Sequence, residues 1–192
     1  MSRRTLGTIA AAAVIVVLVV VIASGLNHAV NKLGLPLTNA DVIRKQAADK
    51  HLDPALIAAV IYAETKFEPS ESSAGAEGLM QILPATAYFI AHLSGGSSFT
   101  ASDLATPSIN VAYGSYYLRY LLEHYDGNEL YAVAAYNAGL ANVDRWVAQE
   151  KAAGKPLTVK TIPFSETRAY AERVLSAQQE YRALYRRQLG LQ

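Results

Sequence analysis

Residues 54–67 read Pro-Ala-Leu-Ile-Ala-Ala-Val-Ile-Tyr-Ala-Glu-Thr-Lys-Phe, and apart from Tyr62 only Glu64 and Lys66 in this stretch can ionise. A helix turns about 100° per residue, so Glu64 falls within about 60° of Ile57, Val60 and Ile61, while Lys66 points about 160° away from it. The carboxyl then lies on an apolar stripe near the carbonyl end of its helix. Loss of water and the negative end of the helix dipole both disfavour its ionised form there. A carboxyl kept protonated near neutrality is what general acid catalysis needs. The same pattern fits an ordinary glutamate at the edge of a core, its head in water or paired with a base such as Arg168. Periodicity leaves both readings open.

Other chemistries find little support. With no Cys there is no thiol nucleophile, disulfide framework or thiolate metal site. The four histidines, His28, His51, His92 and His124, are scattered and no HExxH occurs, so neither a metal nor a cofactor is expected. The chain has 17 Lys plus Arg against 16 Asp plus Glu, and setting aside Arg3 and Arg4 leaves a nearly neutral body. That excludes a nucleic-acid binder held by phosphate neutralisation. With 52% hydrophobic and 17% charged residues the remainder is globular.

The elements that must position Glu64 are mostly helical. Thr38 with Asp41 predicts a helix from 38 to about 50, and Asp53-Pro54 opens the Glu64 helix, which Pro69 ends. Residues 70–78, rich in Ser, Gly and Ala, predict a loop, and Pro84 restarts helix to about His92. Thr100 and Asp103 form a second capping pair before a short turn to Ala105. Pro107 precedes a long helix whose Ile109, Ala112, Tyr113, Tyr116, Tyr120 and His124 repeat on one face. Further helices are predicted over 129–138, stopped by Gly139, over 142–151, and from Ser165 as N-cap to about Arg187. Only 157–162 is a candidate strand.

Residues 9–23 are an unbroken run of Ile, Ala, Val and Leu behind Arg3 and Arg4. About 20 such residues cross a bilayer, and the positive-inside bias keeps the short N-terminus cytoplasmic and the body outside. The expected organisation is a cytoplasmic end at 1–5, a transmembrane signal-anchor helix at 6–26 in membrane lipid, a linker at 27–37 and one helical domain at 38–192. The small-residue run Ala23-Ser24-Gly25 also permits a cleaved signal peptide and a secreted domain.

Four ordered motifs extend the pattern around Glu64. They are Glu64-Thr65-Lys66-Phe67-Glu68-Pro69, then Ser72-Ser73-Ala74-Gly75-Ala76-Glu77-Gly78-Leu79-Met80-Gln81 with Pro84 and Thr86-Ala87, then Ala135-Tyr136-Asn137-Ala138-Gly139 with Trp146, and Ile162-Pro163-Phe164-Ser165-Glu166-Thr167-Arg168 with Tyr170. Together with Asn110 and Asp126-Gly127-Asn128 they resemble the catalytic domain of the soluble lytic transglycosylases, over roughly residues 38–185. The resemblance implies a mainly α, lysozyme-like fold acting on peptidoglycan glycan strands. It implies that Glu64 is the catalytic acid and base, that Ser72, Gln81, Tyr136 and Asn137 line the sugar cleft, and that Glu166 lies close to it. Gly75 and Gly78 let the loop approach a ligand, which makes Gly78 a substrate-binding candidate. Thr65 stands where the family usually has Ser, and Leu83 where Met is often found. The 69–75 loop is one residue short, so Ser73 competes with Ser72.

Glycoside hydrolysis ordinarily uses two carboxylates, and the motifs show one. The resemblance implies a route in which the acid protonates the bond between N-acetylmuramic acid and N-acetylglucosamine. It then takes the proton of the muramyl C6 hydroxyl as that oxygen closes on C1, giving a 1,6-anhydro end without water. A hydrolytic muramidase of the same fold and a catalytically weak peptidoglycan-binding module tethering an envelope assembly are the alternatives.

Overall fold

The computed structural model describes residues 34–95 and 98–192. The expected membrane span at 6–26 lies outside them; among the described residues no helix is long and apolar enough to cross a membrane. Seven α-helices are described: α1 Ala40–Lys50, α2 Pro54–Thr65, α3 Pro84–Ser94, α4 Pro107–His124, α5 Glu129–Ala138, α6 Leu140–Ala152 and α7 Ser165–Leu184. All fall within one compact unit, Leu37–Gln192.

Helix α2 is the axis of that unit. Asp53 accepts a hydrogen bond from the Ala55 amide at 3.0 Å, and Pro54 supplies the first helical residue, where its missing N–H costs nothing. Residues 55–61 are all buried, so α2 is apolar on every side rather than along one stripe, and α7 is its main packing partner. The helix ends at Thr65, two residues earlier than expected. Lys66 and Phe67 adopt left-handed backbone, with φ of 53° and 68°, and swing the chain into segment 69–83.

Several expectations are corrected. Thr38 does not cap α1; left-handed Asn39 precedes it and makes no side-chain capping bond. Ser165 is the first residue of α7 rather than its N-cap, a place taken by Phe164, and α7 stops at Leu184. Residues 157–162 contain a 3-10 turn, Val159–Thr161, not a strand, because Thr158 and Thr161 cap each other. Helix α6 starts at Leu140, directly after Gly139, which at φ 82° separates it from α5. The face of α4 that packs inward carries Asn110, Val111, Gly114, Ser115, Leu118, Leu121 and Leu122. The tyrosines expected to repeat along one face lie on the half-buried flank, where a phenol keeps its hydroxyl wet. The Thr100–Asp103 capping box forms as expected and opens a 3-10 turn at Ala101–Ala105.

Segment 69–83 has almost no regular structure of its own, only the antiparallel bridges Glu71 to Glu77 and Glu77 to Ile82. It is held from outside. Asn110, fully buried, accepts from the Met80 amide at 2.8 Å and donates to the carbonyls of Glu77 at 2.7 Å and Leu104 at 3.1 Å. The Thr65 hydroxyl reaches the Leu79 carbonyl at 2.9 Å, and the Tyr136 hydroxyl reaches that of Met80 at 2.9 Å. Contact is close enough that a Cβ on Gly78 would stand 2.2 Å from Asn110 Nδ2, and one on Gly114 would stand 2.4 Å from Met80 Sδ.

Replacing Asn110 by Ala removes three hydrogen bonds and strands buried backbone groups, so we expect a loss of about 3 kcal/mol in urea unfolding. A loss under about 1 kcal/mol would mean that the segment holds itself.

Candidate active site

Glu64 occupies the last turn of α2, half-buried, and its Oε1 accepts a 2.7 Å hydrogen bond from the hydroxyl of Tyr170 on α7. Burial is the largest influence on the carboxyl and raises its pKa from the ordinary 4.5 to about 7; the Tyr170 hydrogen bond and the positive charge of Arg173 pull it back. Tyr170, 2% exposed, is itself held well above its usual range, first by burial and then by the charge of Glu64, so it remains a donor. Tyr136 is raised for the same two reasons in the same order. Arg168 does not pair with Glu64: its Nε and Nη2 donate to the Ile162 carbonyl at 3.3 and 3.0 Å. The arrangement is a neutral-pH acid beside two phenols that stay protonated.

Five of the other candidates divide among three cavities, and Ser72 lines none of the three. Gln81, Tyr136 and Asn137 line one of 260 Å³, with Thr86, Leu83 and Tyr117. Asn137 and Glu166 line a second of 550 Å³, with Phe164 and Thr167, and Asn137 is therefore common to both. Gly78 lines a third, of 270 Å³, with Glu71 and Glu77. Glu64 lines none of these three and is linked to the first through Tyr136, on which its charge acts.

Individual side chains have local tasks as well. Gln81 sits at φ 48° and spends its amide hydrogens on the carbonyls of Ser70 at 2.7 Å and Gly78 at 3.0 Å, which aims its carbonyl oxygen elsewhere. Asn137 is exposed, and its Oδ1 accepts from Thr167 at 2.7 Å, which fixes the orientation of the amide. Ser72 closes its own turn by accepting from the Ala76 amide at 3.0 Å, whereas Ser73 is exposed. Gly78 has Asn110 and the Leu104 carbonyl against the side where a Cβ would stand, so the residue answers to loop packing as well as to ligand approach.

The family model of the transglycosylase SLT domain matches residues 41–158. The chain belongs to this family. It is 32% identical over 158 residues to the soluble lytic murein transglycosylase of Escherichia coli, a match covering 81% of this chain and 24% of that protein. It is 31% identical over 161 residues to the membrane-bound lytic murein transglycosylase C of Salmonella paratyphi B, covering 72% and 45%. Among solved structures, the 70 kDa soluble lytic transglycosylase of Escherichia coli superposes with a TM-score of 0.76 at 28% identity, over 84% of this chain and 27% of that one. A complex of the 70 kDa enzyme with bulgecin A gives 0.75 at 31% identity, over 80% and 25%. The described unit thus has the mainly helical, lysozyme-like SLT fold, and the chain spans about a quarter of the length of the soluble relatives.

Glu64 is marked in the sequence as the candidate acid, and the partner that shifts its pKa is not. Tyr170 is 106 residues away from Glu64, so no local period connects them; its place in the C-terminal motif was the available signal. Thr167 likewise stands only in that motif, and Tyr117 and Arg173 gave no signal before the helices were packed.

Two outcomes follow from the electrostatics. Tyr170→Phe removes a bond that favours the carboxylate, so Glu64 should titrate above about 7 in a carbon-13 titration; an unchanged or lower value would refute the role of the phenol. A carboxyl whose folded pKa exceeds its unfolded value holds its proton more tightly when folded. Stability from this group is therefore greatest below 4.5 and falls as pH rises to about 7. Glu64→Gln should flatten that fall in denaturation curves taken from pH 4 to 8.

Proposed function

We propose that the chain is a peptidoglycan lytic transglycosylase whose Glu64 acts as acid and then as base. The observation that carries this is the neutral-pH carboxyl working alone: the groups that shift Glu64 are solvent loss, Tyr170 and Arg173, and no carboxylate is among them. A nucleophilic partner at the roughly 5 Å separation of retaining glycosidases would act on it strongly. Protonated Glu64 gives its proton to the oxygen between N-acetylmuramic acid and N-acetylglucosamine, and that bond breaks. As carboxylate it then receives the proton of the muramyl C6 hydroxyl while O6 bonds to C1. One proton leaves and one returns, and the product is a 1,6-anhydro end. Tyr170 holds the carboxyl in place through both steps. The Gln81 carbonyl, the Asn137 amide, the Tyr136 ring and Ser72 offer groups suited to sugar hydroxyls and acetamido groups, and Glu166 borders the adjoining cavity.

Residues 6–26 anchor this SLT domain, residues 38–192, on the outer side of the cytoplasmic membrane in the same proposal, behind a linker at 27–37. Support comes from the uncharged run behind Arg3 and Arg4 and from similarity to a relative named as membrane-bound.

Glu64→Gln should fold and lose about a thousandfold in release of muropeptides from purified sacculi; parent-like activity would remove Glu64 from the chemistry. Digestion in heavy-oxygen water separates the two outcomes of cleavage. We expect anhydro ends without label at C1, whereas labelled reducing ends would make the enzyme a muramidase with the same acid. The full chain should sediment with membranes and yield to protease added outside spheroplasts; recovery of the intact chain in the soluble cytoplasmic fraction would defeat the anchor.

A further inference from the structure

The tyrosines on the half-buried flank of α4 are not used by the reaction. Tyr113 is covered by Phe99, whose ring stacks on it at 4.5 Å. Tyr117 and Tyr120 are placed differently. Tyr117 lines the 260 Å³ cavity beside Gln81, its ring 5.5 Å from that of Tyr136. Tyr120 follows at 6.3 Å with the two planes 13° apart, and Phe89 of α3 stands 5.4 Å beyond Tyr120. Phe89 is 41% exposed. Four rings therefore form a continuous row from the cavity to the surface of α3, each step comparable with the length of one pyranose.

A row whose outer member stays in water has apolar area left for an occupant. Its continuity with the cavity identifies that occupant as the polymer whose reacting sugars the cavity takes. Pyranose C–H faces lie flat against aromatic rings, and phenol hydroxyls match sugar hydroxyls. We propose that Tyr117, Tyr120 and Phe89 form a rail that holds glycan units beyond the disaccharide being cleaved. This rests on the assignment of peptidoglycan glycan as substrate. Phe89 is separated from Tyr136 by two intervening rings, so the rail acts on the grip of long strands and leaves the bond-breaking step unchanged.

The probe is peptide-free glycan fragments of one and three disaccharides prepared from sacculi. Calorimetry measures their binding to the full-length Glu64→Gln chain in mild detergent, alone and combined with Phe89→Ala or Phe89→Trp. The longer fragment should bind more tightly than the shorter one. Phe89→Ala should leave the short fragment unaffected and weaken the long one roughly three- to tenfold, and Phe89→Trp should restore it. Equal binding of the long fragment with and without Phe89→Ala overturns the rail while leaving the substrate assignment intact. Equal weakening of both fragments makes Phe89 a support of the fold and also overturns it. No binding of either fragment to the Glu64→Gln chain overturns rail and substrate assignment together.

Discussion

The buried amide of Asn110 governs how this molecule is built around its acid. Segment 69–83 bounds the cavity with Gln81, Ile82 and Leu83, yet it contains too little regular structure to satisfy its own backbone. A single side chain offering one acceptor and two donors resolves this, joining Met80, Glu77 and the 3-10 turn at Leu104. Tyr136, Thr65 and Gln81 complete the set from other directions. A loop pinned at so many points keeps its polar groups at fixed places.

Around the acid, opposing influences are balanced rather than summed. Helix α2 withdraws Glu64 from water, and α7 returns part of the lost stabilisation through Tyr170 and Arg173. Deeper burial alone would leave a group that never ionises; a full ion pair with Arg168 would leave one that never protonates. Arg168 is occupied instead by the Ile162 carbonyl, in the connection that leads into α7. The carboxyl consequently sits where both of its protonation states are populated near neutral pH, the condition for giving a proton and taking one back.

Much of this was legible from residue types alone. Asp53-Pro54, Thr100 with Asp103 and Gly139 are local signals, and each produced the boundary it announced. Glu64 stood out because little else in its helix can ionise. Some failures were local, at Thr38, Ser165 and 157–162, and others came where the deciding partner was distant in sequence. The tyrosines of α4 repeat with helical period along one face, but Gly114, Leu118 and Asn110 claim the inward face because Met80 and the 77–80 backbone need close approach there. Ser72, Gln81 and Gly78 were read as contacts for sugar, and the structure gives each a partner inside the loop as well. Glu166 stands in the first turn of α7, where a carboxylate complements the helix dipole, and it lines a cavity together with Asn137.

The 106-residue separation between Glu64 and Tyr170 bears on how the chain matures. Contacts that span so much sequence form late, since the entropy of closing the intervening loop must be met before they give anything back. Until α7 arrives, the buried run of α2 lacks its main packing partner and the Glu64 carboxyl lacks the Tyr170 hydroxyl. The raised pKa of Glu64 is therefore a property of the packed unit. A chain still emerging from the ribosome carries a complete Glu64 motif before the partner that perturbs its carboxyl has been made, so that perturbation arises only once α7 has docked.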